Sequence, residues 1–145
     1  MPIYAVFDKC PTPANGHMVA GHVRKGAKNF DADKSYFTDK DGAEIDMMTT
    51  LNLLSKAKDI ATNTSAKQRT EGKCVSIPPK TICSISADAG KLGFAVTWGE
   101  RVGSDSYGAE CTWICLFVTT TLKEGRHQWV SAFPATETYV AGKRI

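Results

Sequence analysis

At 145 residues, with 42% apolar and 23% charged residues, the chain has the size and composition of a single globular domain, 1–145, and lacks the low-hydrophobicity, high-charge signature of disorder. Eighteen basic against fifteen acidic residues leave a formal charge of +3, and the cations are dispersed, which disfavours a nucleic-acid footprint. No apolar run approaches the ~18 to 20 residues that span a bilayer. Asp8 and Lys9 interrupt the opening before a signal-peptide core can form, so the expected compartment is the cytoplasm, although leaderless export would leave no trace.

The chain begins with "IYAVFD", apolar on both faces, which predicts a strand covered on both sides. "CPTPANG" breaks it, and "HMVAGHVRK" predicts a second strand with a bulge at Gly21. From Lys25 to Gly42 the composition is polar and turn-forming, which predicts a long loop. The stretch Ala43–Ala61 predicts one long amphipathic helix. Its apolar stripe is Met47, Leu51, Leu54 and Ala61, joined by Met48, Ala57 and Ile60, with Asp41 as candidate N-cap.

After a second polar loop, the periodicity becomes that of strands. "TICSISA" and "LGFAVTW" flank a tight turn with Gly90 at positive φ, and Leu92, Phe94, Val96 and Trp98 share one face. "GERVGSDSYGA" reads as a loop. "CTWICLFVTTTL" is apolar on both faces and unbroken by glycine or proline, which predicts a central strand turning back at Glu124-Gly125, with Leu122 opposite His127 and Thr120 opposite Trp129. A last short segment is "ETYVAGKRI". The expected fold is α+β: a mostly antiparallel sheet of about six or seven strands packed with one long helix.

Five cysteines are an odd set in a chain without an export signal, which favours free thiols. If the protein is exported, Cys74 with Cys83 is the first pair to test. The acidic run "DADKSYFTDKDGAEID" fails the register of a calcium loop, because Tyr36 falls where the turning glycine belongs when the loop starts at Asp31. His17 and His22, five apart, point to opposite faces of a strand and cannot chelate together. No phosphate loop or G-x-S-x-G elbow is present, and neither metal nor cofactor is expected.

A cysteine nucleophile needs a base within hydrogen-bond reach. The candidates are Cys111 or Cys115 with His127. The layout of Cys111-Thr112 on a strand and His127 sixteen residues on resembles that of bacterial glutamine-deamidase toxins and chemoreceptor deamidases, which implies amide hydrolysis by a thiolate. The Ser-Gly or Gly-Ser that precedes the cysteine in those families is Ala109-Glu110 here, and no Thr-Gly follows His127. Strand rise opposes the pairing, because about eight residues of partner strand, some ~26 Å, would separate Cys115 from His127.

The favoured reading is therefore a small domain acting by contact with an unidentified protein partner or with copies of itself, as a structural subunit or specificity factor. Its loops offer Arg24, Lys25, Tyr36, Phe37, Arg101 and Tyr107 as candidate binding residues. The alternative is the cysteine-dependent amide hydrolase. A weaker one is nucleic-acid binding through Arg24, Lys25, Lys28, Lys67, Arg69 and Lys73, with Tyr36 or Phe37 stacking on bases.

Overall fold

The computed structural model of the chain describes Val19 and residues 21–25, 34–63 and 82–144. The expected strand "IYAVFD" lies outside these residues. Of "HMVAGHVRK", Val19 and residues 21–25 form a turn instead of a ladder. The His22 amide donates to the Val19 carbonyl at 2.9 Å, and Gly21 takes φ 87°.

The elements in chain order are β1 (Tyr36–Phe37), α1 (Met47–Asn63), β2 (Ile82–Ile85), β3 (Lys91–Thr97), β4 (Gly103–Ser104), β5 (Glu110–Cys111), β6 (Trp113–Thr119), β7 (Trp129–Ala135) and α2 (Glu137–Lys143). The class is α+β and the pairing antiparallel. In place of one sheet and one helix, the described residues form two sheets, ordered β2-β3-β6-β7 and β1-β4-β5, and two helices.

The four-stranded sheet is the scaffold, and its alternation decides what each face meets. Ile82, Val96 and Ile114 stand in one cross-strand row, and Cys83, Ala95, Cys115 and Phe133 stand on the opposite face. The first face carries the larger core: Phe94, Val96, Ile114, Leu116 and Val118 pack with Leu54, Ala57 and Ala61 of α1. Both faces of β6 are covered, which is why its sequence is apolar at nearly every position.

Helix α1 begins four residues later than Ala43 and runs two past Ala61. Asp46, not Asp41, is its N-cap: the carboxylate accepts the Thr49 amide at 2.9 Å, and that bond holds the Asp46 carboxyl below the usual carboxylate range. The Asp39 carboxylate accepts the amides of Asp41 and Ala43, both at 2.9 Å, so the acidic loop closes on itself ahead of the helix. Met48, placed on the apolar stripe by spacing, is 73% exposed, whereas Leu54, Ala57 and Ala61 are fully buried.

The remaining segments differ from their sequence pattern as follows. "ETYVAGK" is helical, capped by the Thr136 hydroxyl, which accepts the Tyr139 amide at 3.1 Å, and it buries Val140 on the sheet face away from α1. The loop "GERVGSDSYGA" contains β4, and residues 25–42 contain β1. The run "CTWICLFVTTTL" breaks at Thr112, whose carbonyl accepts the Trp98 amide at 2.8 Å, and Cys111 crosses to pair with Gly103 in the small sheet.

The hairpin after β6 turns where the sequence places it. Lys123 bridges Arg126, and Glu124 (φ 55°) and Gly125 (φ 78°) both adopt the left-handed backbone that a type I′ turn requires. Its register differs. Val118, not Thr120, opposes Trp129, because residues 120–122 bulge out of the ladder and β7 carries its own shift beside Phe117/Val118.

Candidate recognition surface

The segment that follows β1, the segment that precedes β4, and α1 border an open cleft of about 430 Å³. Its floor includes Leu53 and Trp98, and its rim carries both signs of charge, with Lys40, Lys56 and Arg101 against Glu100. Arg101 is held from behind: Nε donates to the Gly103 carbonyl at 3.3 Å and Nη2 contacts the Ser104 hydroxyl. Gly42, at φ 86°, lets the turn pass beside this guanidinium, since a Cβ there would lie 2.9 Å from Nη1.

Across β1 stands a second charged group. Arg24 Nε lies 3.0 Å from Glu44 Oε1, and its guanidinium carbon sits 5.1 Å from the centroid of the Tyr36 ring. Lys25 is exposed, close enough to α1 to lower the Asp46 pKa slightly, behind the Thr49 hydrogen bonds. Phe37 faces inward and is fully buried, so it belongs to the core and offers no surface.

Tyr107 is 95% exposed at the tip of the β4–β5 hairpin, at the end of the small sheet away from the cleft. The loop that carries it is tied down. The Asp105 carboxylate accepts the amides of Tyr107 at 2.9 Å and Ala109 at 2.7 Å, and the Asp105 carbonyl accepts that of Gly108 at 3.0 Å. Gly108 takes φ 85° to close the turn. A large amphipathic ring is thus presented to solvent on a short, hydrogen-bonded loop.

The cysteine–histidine candidates are not brought together. Cys115 pairs with Phe133, six residues along β7 from His127, or roughly 20 Å at ~3.3 Å per residue. Cys111 lies beyond the other end of β6, in the small sheet. Both are free and buried. Burial, then the nearby Asp105 carboxylate, pushes the Cys111 thiol up to about 12, and burial pushes the Cys115 thiol up further. His127 is itself buried and turns Nδ1 toward the Thr119 carbonyl at 2.7 Å. A carbonyl only accepts, so Nδ1 carries the hydrogen.

Free thiols hold for Cys111 and Cys115 but not for Cys83, which is disulfide-bonded. Its partner, and with it the Cys74–Cys83 pairing, lies outside the described residues. Sequence reasoning also missed Leu53, Lys56 and Trp98 as lining of the cleft. Their helical and strand periodicities assign them to a core or a solvated face, and only the packing of α1 beside the small sheet joins them. Among the described residues no three His, Cys, Asp or Glu side chains gather to hold a metal ion, and no helix is long and apolar enough to cross a membrane.

No family model matches the chain, and neither the curated proteins nor the solved structures contain a match.

Proposed function

We propose that this domain works by protein–protein contact, with the small sheet and the neighbouring face of α1 as the contact surface. The observation that carries the reading is Tyr107: a large aromatic side chain, 95% exposed, on a loop whose amides donate to Asp105, two to its carboxylate and one to its carbonyl. Tyrosine on a rigid loop supplies contact area at little cost in conformational entropy, which is why it is enriched among residues that dominate binding. The two-signed rim of the cleft and the Arg24–Tyr36–Glu44 group add charges that set orientation and rate of encounter.

The test is sizing by light scattering across a wide concentration range, together with affinity capture, for the native chain and for Tyr107→Ser. A self-association or a captured partner that the native chain shows and Tyr107→Ser loses supports the reading. A strict monomer that captures nothing, or capture that Tyr107→Ser and Arg101→Ala leave unchanged, counts against this surface.

A further inference from the structure

A second cavity, of about 230 Å³, opens on the face of the four-stranded sheet opposite α1, between the β2–β3 turn, the β7 bulge and α2. Its apolar side is aromatic. Phe117 and Phe133 stack with centroids 5.6 Å apart at 21°, and Tyr139 meets Phe133 edge-on at 5.7 Å and 81°. Gly93 makes room for this, because a Cβ there would lie 2.8 Å from Phe117 Cε1. The three rings are each partly open to solvent on a face that α2 only partly covers.

The polar side is cationic. Lys91 and Lys143 line the cavity, with Lys143 Nζ 5.7 Å from the Tyr139 ring centroid. Among the described residues the one lining carboxylate is Asp88, 90% exposed and 3.9 Å from Lys91, a separation and exposure at which pairing is weak. Beside them Arg144 bridges Ile85 antiparallel. Directly opposed residues of such a pair point to the same face, so the Arg144 side chain shares the sheet face of Ile85, Phe117 and Phe133. Its Nε is buried and has no hydrogen-bond partner among the described residues.

We infer that this cavity binds a single aromatic ring bearing an anionic group, an aryl phosphate or aryl carboxylate, the ring against Phe117 and Tyr139 and the anion between Lys91 and Lys143. Aromatic walls favour an offset or edge-on ring, and the two ammonium groups favour the anion over a neutral analogue. The volume is below the ~300 Å³ of pockets that enclose drug-sized ligands, which limits the occupant to one ring and its substituent. The site lies on the opposite face of the sheet from α1 and does not depend on the contact surface proposed above.

The experiment is a ¹H–¹⁵N NMR titration of the full chain with phenylphosphonate up to roughly 20 mM, with inorganic phosphate and phenol as the two halves of the ligand. Saturable shifts are expected at the amides of Lys91, Ser131, Phe133, Tyr139 and Lys143, with either half binding at least about tenfold more weakly. The Lys91→Gln/Lys143→Gln double variant, its fold verified by the same spectrum, is expected to bind at least about threefold more weakly. Absence of saturable shifts overturns the inference. So does phosphate matching phenylphosphonate, which removes the ring's role, or phenol matching it, which removes the cations'. Unchanged affinity in the double variant overturns it equally. A capped phosphotyrosine tripeptide distinguishes the sources: binding at least as tight as phenylphosphonate assigns the group to a protein side chain, and exclusion of the peptide with phenylphosphonate retained assigns it to a free small molecule.

Discussion

Gly103→Ala isolates the contact that fixes the small sheet to the four-stranded one. Gly103 is the middle of the small sheet, paired with Phe37 on β1 and Cys111 on β5, and it faces β7 of the large sheet. A Cβ there would lie 2.5 Å from Pro134 Cβ and Cγ and 2.6 Å from the Tyr36 carbonyl oxygen. Carbon atoms pack best at about 3.5 to 4.0 Å, so roughly 1 Å must open on two sides at once. Neither neighbour can rotate away, because one is a closed proline ring and the other a backbone atom. Overpacking of this kind costs about 3 kcal/mol. For a chain of this length that lowers Tm by roughly 6 to 12 °C. Urea and thermal unfolding followed by circular dichroism measure it, with Gly142→Ala as the comparison. A Cβ at Gly142 has nothing within 4 Å, and alanine near the end of α2 is expected to change stability by no more than ~0.5 kcal/mol, in the favourable direction. Gly103→Ala within ~0.5 kcal/mol of the native chain would refute the close packing of β4 on β7.

Three more outcomes are expected. Glu124 holds φ 55° in the type I′ turn, so Glu124→Asn should stabilise the chain by roughly 0.5 kcal/mol in urea unfolding, and a loss of stability would show that the turn is not formed as described. The raised thiol pKa values predict that Cys111 and Cys115 stay unlabelled by iodoacetamide in the folded protein at pH 8. They also predict that stability falls as pH rises above ~9: there the unfolded chain has lost the thiol proton and the folded chain keeps it, so unfolding releases protons. Rapid labelling of either thiol at pH 8 without unfolding would contradict the burial. Reduction of the Cys83 disulfide should cost about 3 kcal/mol if it closes the roughly ten-residue Cys74–Cys83 loop and about 4.5 kcal/mol if it closes the roughly seventy-residue loop to Cys10, and non-reducing peptide mapping names the partner independently.

Periodicity made the interior legible. The shared face of Leu92, Phe94, Val96 and Trp98, the two-sided burial of β6, the Gly90 turn and the Glu124-Gly125 turn all follow from local pattern, because strand parity and positive φ are properties of a few adjacent residues. The small sheet was not legible. Two-residue strands are too short to show alternation, and β4 is Gly-Ser, a pair that reads as loop until Phe37 and Cys111 flank it. The last helix was missed because "ETYVAGK" offers one buried position, Val140, and its capping signal is a single threonine. The cleft could not be read at all, since its lining comes from three segments that share no sequence pattern.

The stretch from Glu110 to Trp129 holds two cysteines and a histidine, yet the register that buries them also separates them. Cys115 is fixed opposite Ala95 and Phe133 while the His127 ring is engaged at Thr119. To place Cys115 beside His127, β6 would have to slide along β7 by about six residues. An odd slip would turn Ile114, Leu116 and Val118 away from α1, exposing side chains whose burial is worth roughly 1.5 to 3 kcal/mol each. A six-residue slip keeps the faces but leaves almost none of the pairs that join β6 to β3 from Lys91↔Thr119 to Thr97↔Trp113. The bulge at residues 120–122 absorbs the irregularity instead, outside the β6–β7 ladder, and the His127–Thr119 hydrogen bond closes over it. The contact we propose would then fall to residues held out to solvent, such as Tyr107.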